Sequence, residues 1–555
     1  MKSDAQIAQE THLEPIYSIG KKNGIHKSEI IPWGNYKAKI SLEALQRVKK
    51  NTQGKLILVT TINPTPGGEG KTTVTIGLAQ ALARLGKKVT LAIRQPSLGP
   101  IMGLKGGATG GGYSQVVPRD EINLHFTGDM HAVTLAHNLL SALLDNHLFH
   151  GDAFHIDPRY IVWPRVLDVN DRNLRNVVVG LGGPLDGIPH QDSFAITAAS
   201  EVMAILCLSL SRDELKERLG RIIAAYTYDD KPVTAKDLQA VGAMAVLLKD
   251  AIMPNLVQTL EGVPAFIHGG PFANIAHGTS SLIAASMGLK MADYFITEAG
   301  FGTDLGAEKF FNIVCRRGLN PDAAVLVVSL RALMRHGGLK SQDTSDETSD
   351  YVTQGLCNLQ KHLENIALFG VPVIVAINRF QGDTDDDIAL VEDFCQTKGV
   401  SCAVVDVYRD GGEGGIELAG KLVDLLYNYP SNFQYLYDLN EQVKQKIGII
   451  AKKIYGADRV VYTVTAEDDL RIISELGLED LPICMAKTPY SLSDNSVLVG
   501  RPTKFKITIK TIRISAGAGF LVPITGKITI MPGLPGAPQA EKMNIDESGR
   551  ITGLF

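Results

Sequence analysis

Cys-x-x-Cys pairs are missing from this chain. Its six cysteines (Cys207, Cys315, Cys357, Cys395, Cys402 and Cys484) are scattered. That excludes a structural zinc site and a disulfide framework, and it points to a reducing cytoplasm. Charge of one sign is also lacking. A net charge of −4 over 555 residues, with no basic block, leaves no field that would draw in nucleic acid. No uninterrupted apolar run approaches the ~20 residues that a membrane span needs. The opening stretch MKSDAQIAQETHLEP has no apolar segment of a secretory signal. Internal repeats and low-complexity tails are absent too. What is plentiful is glycine, 55 residues of it, gathered in clusters where backbone N–H groups can meet a ligand. The chain is too long for one core, so roughly two to four domains are expected.

The apolar runs have a recurring layout. KLILVTTI (residues 55–62) reads as a strand, and KTTVTIGLAQALARLG as a helix ending at Gly86. KKVTLAIRQPSLGP reads as the next strand, which makes residues 55–94 a β-loop-α-β unit. Such units imply a parallel sheet with helices on its faces. NVVVGLGG, VPAFIHGG and AAVLVVSL repeat the theme. Residues 371–428 look like another unit, with strands VPVIVAINRF and SCAVVDVY around an acidic helix, then helix GIELAGKLVDLLYNY. The pattern breaks at NYPSNFQYLYDLN, and the stretch from TKFKITIKTIRI to FLVPITGKITIM alternates as strands do.

The loop TTINPTPGGEGKTT (60–73) is nearly a P-loop: Gly70, Lys71 and Thr72 fit, while Thr65 stands where the first glycine is usual. A glycine-rich turn opening a helix gathers unpaired N–H groups and the positive end of the helix dipole around an anion. Thr65, Pro66, Gly67, Gly68, Glu69, Gly70, Lys71 and Thr72 would cradle a nucleoside triphosphate. Lys71 would lie on its outer phosphates and the Thr72 hydroxyl on its Mg²⁺. Pro64 and Pro66 can stiffen the turn where other loops use glycine. Asn378–Gln381, NRFQ, lacks the Lys and Asp of a guanine reader.

Arg94 ends the strand after the P-loop helix and would open on the same sheet edge. There it can grip a carboxylate or acyl phosphate bidentately, or form a surface ion pair. GLKGGATGGGY (103–113) is either an anion nest or a flexible loop. Asp129 would orient a nucleophile or a metal-bound water, or cap the following helix. Phe380 and Tyr408 close consecutive strands; facing rings there would sandwich a flat heterocycle, the alternative being ordinary edge packing. His125, His131 and His137 recur at a spacing of six, unlike the i, i+4 zinc arrangement, so packing or solvent roles are expected. His268 and His277 lie in a glycine-rich loop that is either a substrate loop or a turn.

Taken together, TPGGEGKTT, PSLGPIMGLKGGATGGGYSQVV, INLHFTGD, GGPFANIAHG, EAGFGTDLGAEKF, SLRALMRHGG, NRF, GGEGG and MPGLP resemble the formate–tetrahydrofolate ligase family, through nearly the whole chain. The resemblance implies a cytoplasmic homotetramer of three-domain subunits. It implies a reaction joining formate to tetrahydrofolate with MgATP, through formyl phosphate, supported by a monovalent cation (K⁺ or NH₄⁺). Lys71 would hold the transferring phosphate, and Arg94 formate and then formyl phosphate. Phe380 and Tyr408 would stack the pterin, with Phe301 lining the same pocket and Asp129 near the reacting amine. The expected fold is α/β: a P-loop-containing parallel sheet with flanking helices (1–363), a smaller α/β folate-binding domain (364–430) and a β-rich α+β C-terminal domain (431–555). Departures from the family pattern are Gln95 for Glu, Thr109 for Ala, Met334 for Lys and Tyr408 for the commoner Trp. The remaining readings are a P-loop switch ATPase and a folate-binding homologue of weakened activity.

Overall fold

Alternation within the apolar runs builds the molecule. The computed structural model describes residues 2–103, 107–340, 348–526 and 528–554. In the strand Lys55–Thr61, Leu56 and Leu58 enter one hydrophobic core while Ile57 and Val59 enter a second. Ala323–Val328 divides in the same way, with Ala324, Leu326 and Val328 against Val325 and Val327. Side chains of a strand alternate between faces, so a run that is apolar throughout must be covered on both. The helices Lys71–Arg84 and Ile416–Asn428 supply the cover over the second core, through Val74, Leu78 and Leu82 and through Leu418 and Leu422. Gly86 ends the first of these helices at φ +72°, a left-handed conformation that favours glycine.

Among the described residues, twelve strands form one mixed sheet. Its parallel part runs in the order Pro264–Ile267, Val89–Ile93, Tyr294–Gly302, Lys55–Thr61, Ala323–Val328, Val373–Asn378, Cys402–Val405. Asn255–Thr259, Ala38–Ile40 and Ile30–Pro32 extend it antiparallel beyond Pro264–Ile267. Chain order reverses across Lys55–Thr61, because the chain steps over this strand from Tyr294–Gly302 to Ala323–Val328. Open α/β sheets bind ligands at the carboxyl ends of the strands flanking such a reversal.

Three expectations need correction. Residues 364–430 have no sheet of their own: Val373–Asn378 pairs in parallel with Ala323–Val328, and Cys402–Val405 with Val373–Asn378, so both belong to the main sheet. Val177–Val179 does not join that sheet. It pairs antiparallel with His190–Asp192 in a small surface hairpin, and its central Val178 is exposed, so its apolar character is not that of a covered strand. At the C-terminal end, Lys506–Ser515 and Phe520–Thr525 form the expected hairpin, with Arg459–Tyr462 parallel to the first, but residues 528–531 form no strand. Ile483 and Leu521 of this region share one core with Leu56 and Phe295 of the large sheet.

Candidate active site

The loop after Lys55–Thr61 is rooted in a buried polar network. Asn63 donates its amide to Asp304 Oδ1 and to the Pro489 carbonyl, both at 3.1 Å, and its N–H reaches His362 Nε2 at 3.0 Å. Asp304 pairs with Lys487 at 2.7 Å, both side chains fully buried. Above this root the backbone turns at Gly68 (φ +76°) and Gly70 (φ +69°). A Cβ on Gly70 would lie 2.4 Å from Asn378 Nδ2, and that amide donates to the Glu69 carbonyl at 2.9 Å. Glu69 folds back inside the loop. Its Oε1 accepts the Thr65 N–H at 2.6 Å, and its Oε2 is held by Ser329 Oγ with Arg331 Nε 3.6 Å away. The turn is therefore fixed by its own carboxylate as well as by Pro64 and Pro66.

Lys71 and Thr72 open the helix, and both face Glu298 on the neighbouring strand Tyr294–Gly302. Lys71 Nζ lies 2.5 Å and Thr72 Oγ1 2.8 Å from Glu298 Oε2. Burial lowers the Lys71 ammonium below its usual value, and Arg94 adds to this while Glu298 opposes it. Burial pulls Glu298 upward, yet Lys71 and Arg94 together hold it below the ordinary carboxylate range. The carboxylate is thus charged and shared between two cations. Arg94 follows Val89–Ile93, on the far side of Tyr294–Gly302. Its Nη1 donates to the Pro271 carbonyl at 3.1 Å, and its Nε is buried without a partner. Its Nη2 lies where a Cβ on Gly300 would come within 3.1 Å, so the strand backbone is laid directly against the guanidinium. Lys71, Thr72 and Arg94 are brought together at adjacent strand ends. Sequence reasoning gave no role to Glu298, which joins them; its one signal was its place at the head of EAGFG.

The ring residues are positioned differently from one another. Register slips between Glu298 and Gly302, and within this irregularity Phe301 takes φ +61°. A bulky side chain in that region costs on the order of 1–3 kcal/mol, and such strain gathers at ligand sites. Phe380 lies two residues past its strand, beside Gly70, with the Arg331 guanidinium 3.8 Å from its ring centroid. Tyr408 does not end a strand: Cys402–Val405 stops first, and Tyr408 sits in the helical turn Val407–Asp410, hydroxyl bonded to Asp4 at 2.8 Å. Of the stretch 103–113, residues 104–106 lie outside the described residues.

Asp129 is the first residue of helix Asp129–Phe149, and its carboxylate is buried and committed. Oδ1 pairs with Lys39 at 2.7 Å, and Oδ2 accepts from Asn255 at 2.7 Å. His137 stacks on Trp163 with centroids 4.0 Å apart, while His125 and His131 are exposed, which matches packing and solvent roles. Burial lowers His137 to about 3 and His268 to about 4, so both are neutral. His268 bonds Ser281 and the Ala251 carbonyl; His277 is buried with neither ring nitrogen hydrogen-bonded. Gln95 is buried, Thr109 Oγ1 accepts from Asn123 at 3.2 Å, and Met334 packs against the core.

Fold and site together define the class: an α/β protein with an anion-ready turn between strand and helix, at the reversal point of a mostly parallel sheet. Among solved structures, the chain is similar to translation elongation factor SelB from Methanococcus maripaludis in complex with the GTP analogue GppNHp. That likeness has 17% identity and a TM-score of 0.17 over 31% of each chain. The sequence model of the formate–tetrahydrofolate ligase family matches residues 2–555. The chain belongs to that family and is a ligase, with formate and tetrahydrofolate as the substrates the family implies. No helix among the described residues is long and apolar enough to cross a membrane.

Proposed function

We propose that this chain joins formate to tetrahydrofolate at the expense of MgATP, through formyl phosphate, giving 10-formyltetrahydrofolate, ADP and phosphate. The observation that supports this best is the placing of Lys71 and Arg94 on either side of Glu298 at adjacent strand ends. One cation belongs to a phosphate-type loop, and the other, with its Nε unpartnered, is placed to grip a small carboxylate. The Thr72 hydroxyl and the Glu298 carboxylate are hard oxygen donors suited to a hydrated Mg²⁺ carried in by the nucleotide.

Formate is a poor electrophile because it has no good leaving group. Held by Arg94, its oxygen attacks the γ-phosphorus; the new O–P bond forms as the bond to the β-phosphate oxygen breaks, and ADP departs. Positioning and charge neutralisation are most of what this step needs, and Lys71 with the N–H groups of Gly67 and of Glu69 to Thr72 supplies them. The N10 amine of tetrahydrofolate then attacks the formyl carbon. Arg94 stabilises the tetrahedral oxyanion, the C–O bond to phosphate breaks, and the N10 proton leaves with the phosphate. Phe301, Phe380 and Tyr408 flank the pterin in this reading and help exclude water from formyl phosphate. Asp129, expected beside the reacting amine, has its charge spent on Lys39 and Asn255. The family's homotetramer and its monovalent cation are part of the same proposal.

Purified protein given MgATP, formate and tetrahydrofolate should form product detected as the acid-generated methenyl absorbance. Steady-state turnover of ATP to ADP should require formate and tetrahydrofolate together. Hydrolysis of ATP without formate would instead favour a switch ATPase. Lys71→Ala should abolish product, since removal of a transition-state cation costs roughly 10²-fold or more; retained activity would place the chemistry elsewhere.

A further inference from the structure

We propose that Asp4, at the head of the first helix, is a positioning residue of the folate site: it fixes the ring of Tyr408 against the glycine hairpin 110–117. The inference rests on reading Tyr408 as a pterin platform. The ring of Tyr408 lies on bare backbone. A Cβ on Gly112 would come 2.9 Å from its Cγ, and one on Gly111 3.0 Å from its Cε2, so glycine is what lets the ring settle there. The main chain around it is tied down by Tyr113 N–H to the Tyr408 carbonyl at 2.9 Å and Ser114 Oγ to the Val407 carbonyl at 2.7 Å. Even so, Tyr408 remains 42% exposed, which leaves ring surface for a ligand.

What sets the far end of the ring is Asp4. The Tyr408 hydroxyl donates to Asp4 Oδ1 at 2.8 Å, and the Gly112 N–H donates to the same oxygen at 2.9 Å. Gln115 Nε2 donates to the Asp4 carbonyl at 3.0 Å, and Arg119 Nη2 lies 3.9 Å from Oδ2. Asp4 is itself placed by Ser3, which caps the helix Asp4–Glu10 in a reciprocal pair of bonds with Gln6. Burial, then the bond and charge of Asp4, push the Tyr408 hydroxyl to about 12, so it is a donor throughout the working pH range. An indole at this position would have no such hydroxyl; the anchor suits tyrosine. Stacking is short-ranged, so a platform that swings loses contact area with a flat ligand.

The test is steady-state kinetics on the full-length protein with Asp4→Ala, Asp4→Asn, Tyr408→Phe, Tyr408→Ala and Asp4→Ala/Tyr408→Phe. Loss of the Tyr408–Asp4 hydrogen bond, common to both, predicts that Asp4→Ala and Tyr408→Phe each raise the tetrahydrofolate KM about three- to tenfold. The KM for ATP and for formate, and kcat, should stay within about twofold of wild type. The double variant should add little to either single one, and Asp4→Asn, which keeps an acceptor, should restore most of the affinity. A folate KM unchanged in both Asp4→Ala and Tyr408→Phe, with a raised one in Tyr408→Ala, overturns the role of Asp4 and leaves the platform reading standing. An unchanged KM in Tyr408→Ala as well overturns both. If Asp4→Ala fails to fold, Tyr408→Phe removes the same bond from the other side and decides alone.

Discussion

At the scale of single residues, the groups that matter are charges held where water does not reach. Glu308 is the clearest instance outside the substrate groups. It is fully buried, with Oε1 bonded to Asn312 at 2.8 Å and Oε2 unpartnered. Burial raises its carboxyl from 4.5 to about 7, against the pull of Asn312 and Lys309. A folded-state value above the unfolded one means that the native chain holds the proton more tightly. The contribution to stability is then complete below about pH 4.5 and drains away as pH climbs through about 7. Glu308→Gln should flatten that fall. Denaturant unfolding should find the variant more stable than wild type at pH 8.5 by up to about 3 kcal/mol, and about equal to it at pH 4. A parallel loss in both proteins would show that Glu308 does not titrate there.

At the scale of elements, one side chain joins two parts of the proposed site. Arg331, from the helix Leu330–His336, bonds the Gly68 carbonyl while its guanidinium covers Phe380 at 3.8 Å. Arg331→Ala should therefore raise the KM for ATP and for tetrahydrofolate together, each about three- to tenfold, since it removes a hydrogen bond and a cation–π contact at once. A rise in only one would mean that loop and ring are independent. How far such links were legible in the sequence follows from their range. The β-loop-α-β unit was readable because Leu56, Val59, Val74 and Leu91 are spaced by local geometry, period two in strands and period 3.6 in the helix. Lys71 and Arg94 were readable because one opens a helix behind a Gly-Lys-Thr turn and the other directly follows its strand. Glu298 was not, since its importance comes from Lys71, 227 positions away in the chain, through a pairing that no local pattern encodes. The same holds for Asp4 and Tyr408, 404 positions apart. That the strands of 371–428 extend the large sheet was not legible, because a β-α-β repeat looks alike whether its strands start a sheet or extend one.

At the scale of the whole molecule, one surface is conspicuously apolar. The hairpin built on Val177–Val179 and His190–Asp192 carries Leu181 at 69% and Leu185 at 88% exposure beside Val178. Exposed apolar surface of this kind marks association, and under the proposed homotetramer it is the natural contact between copies. Leu181→Asp/Leu185→Asp should lower the mass found by sedimentation or light scattering below that of the wild-type assembly; an unchanged mass would move the contact elsewhere. The buried root of the phosphate loop carries a consequence of a different kind. Asn63 leans on the carbonyl of Pro489, and Asp304 on the ammonium of Lys487. A gene cut short after codon 430 would leave that aspartate charged in a dry interior, with an amide short of an acceptor beside it. The half of the enzyme that carries the proposed nucleotide loop depends on its own tail, and a hybrid spliced at that seam from two distant relatives would inherit a broken foundation.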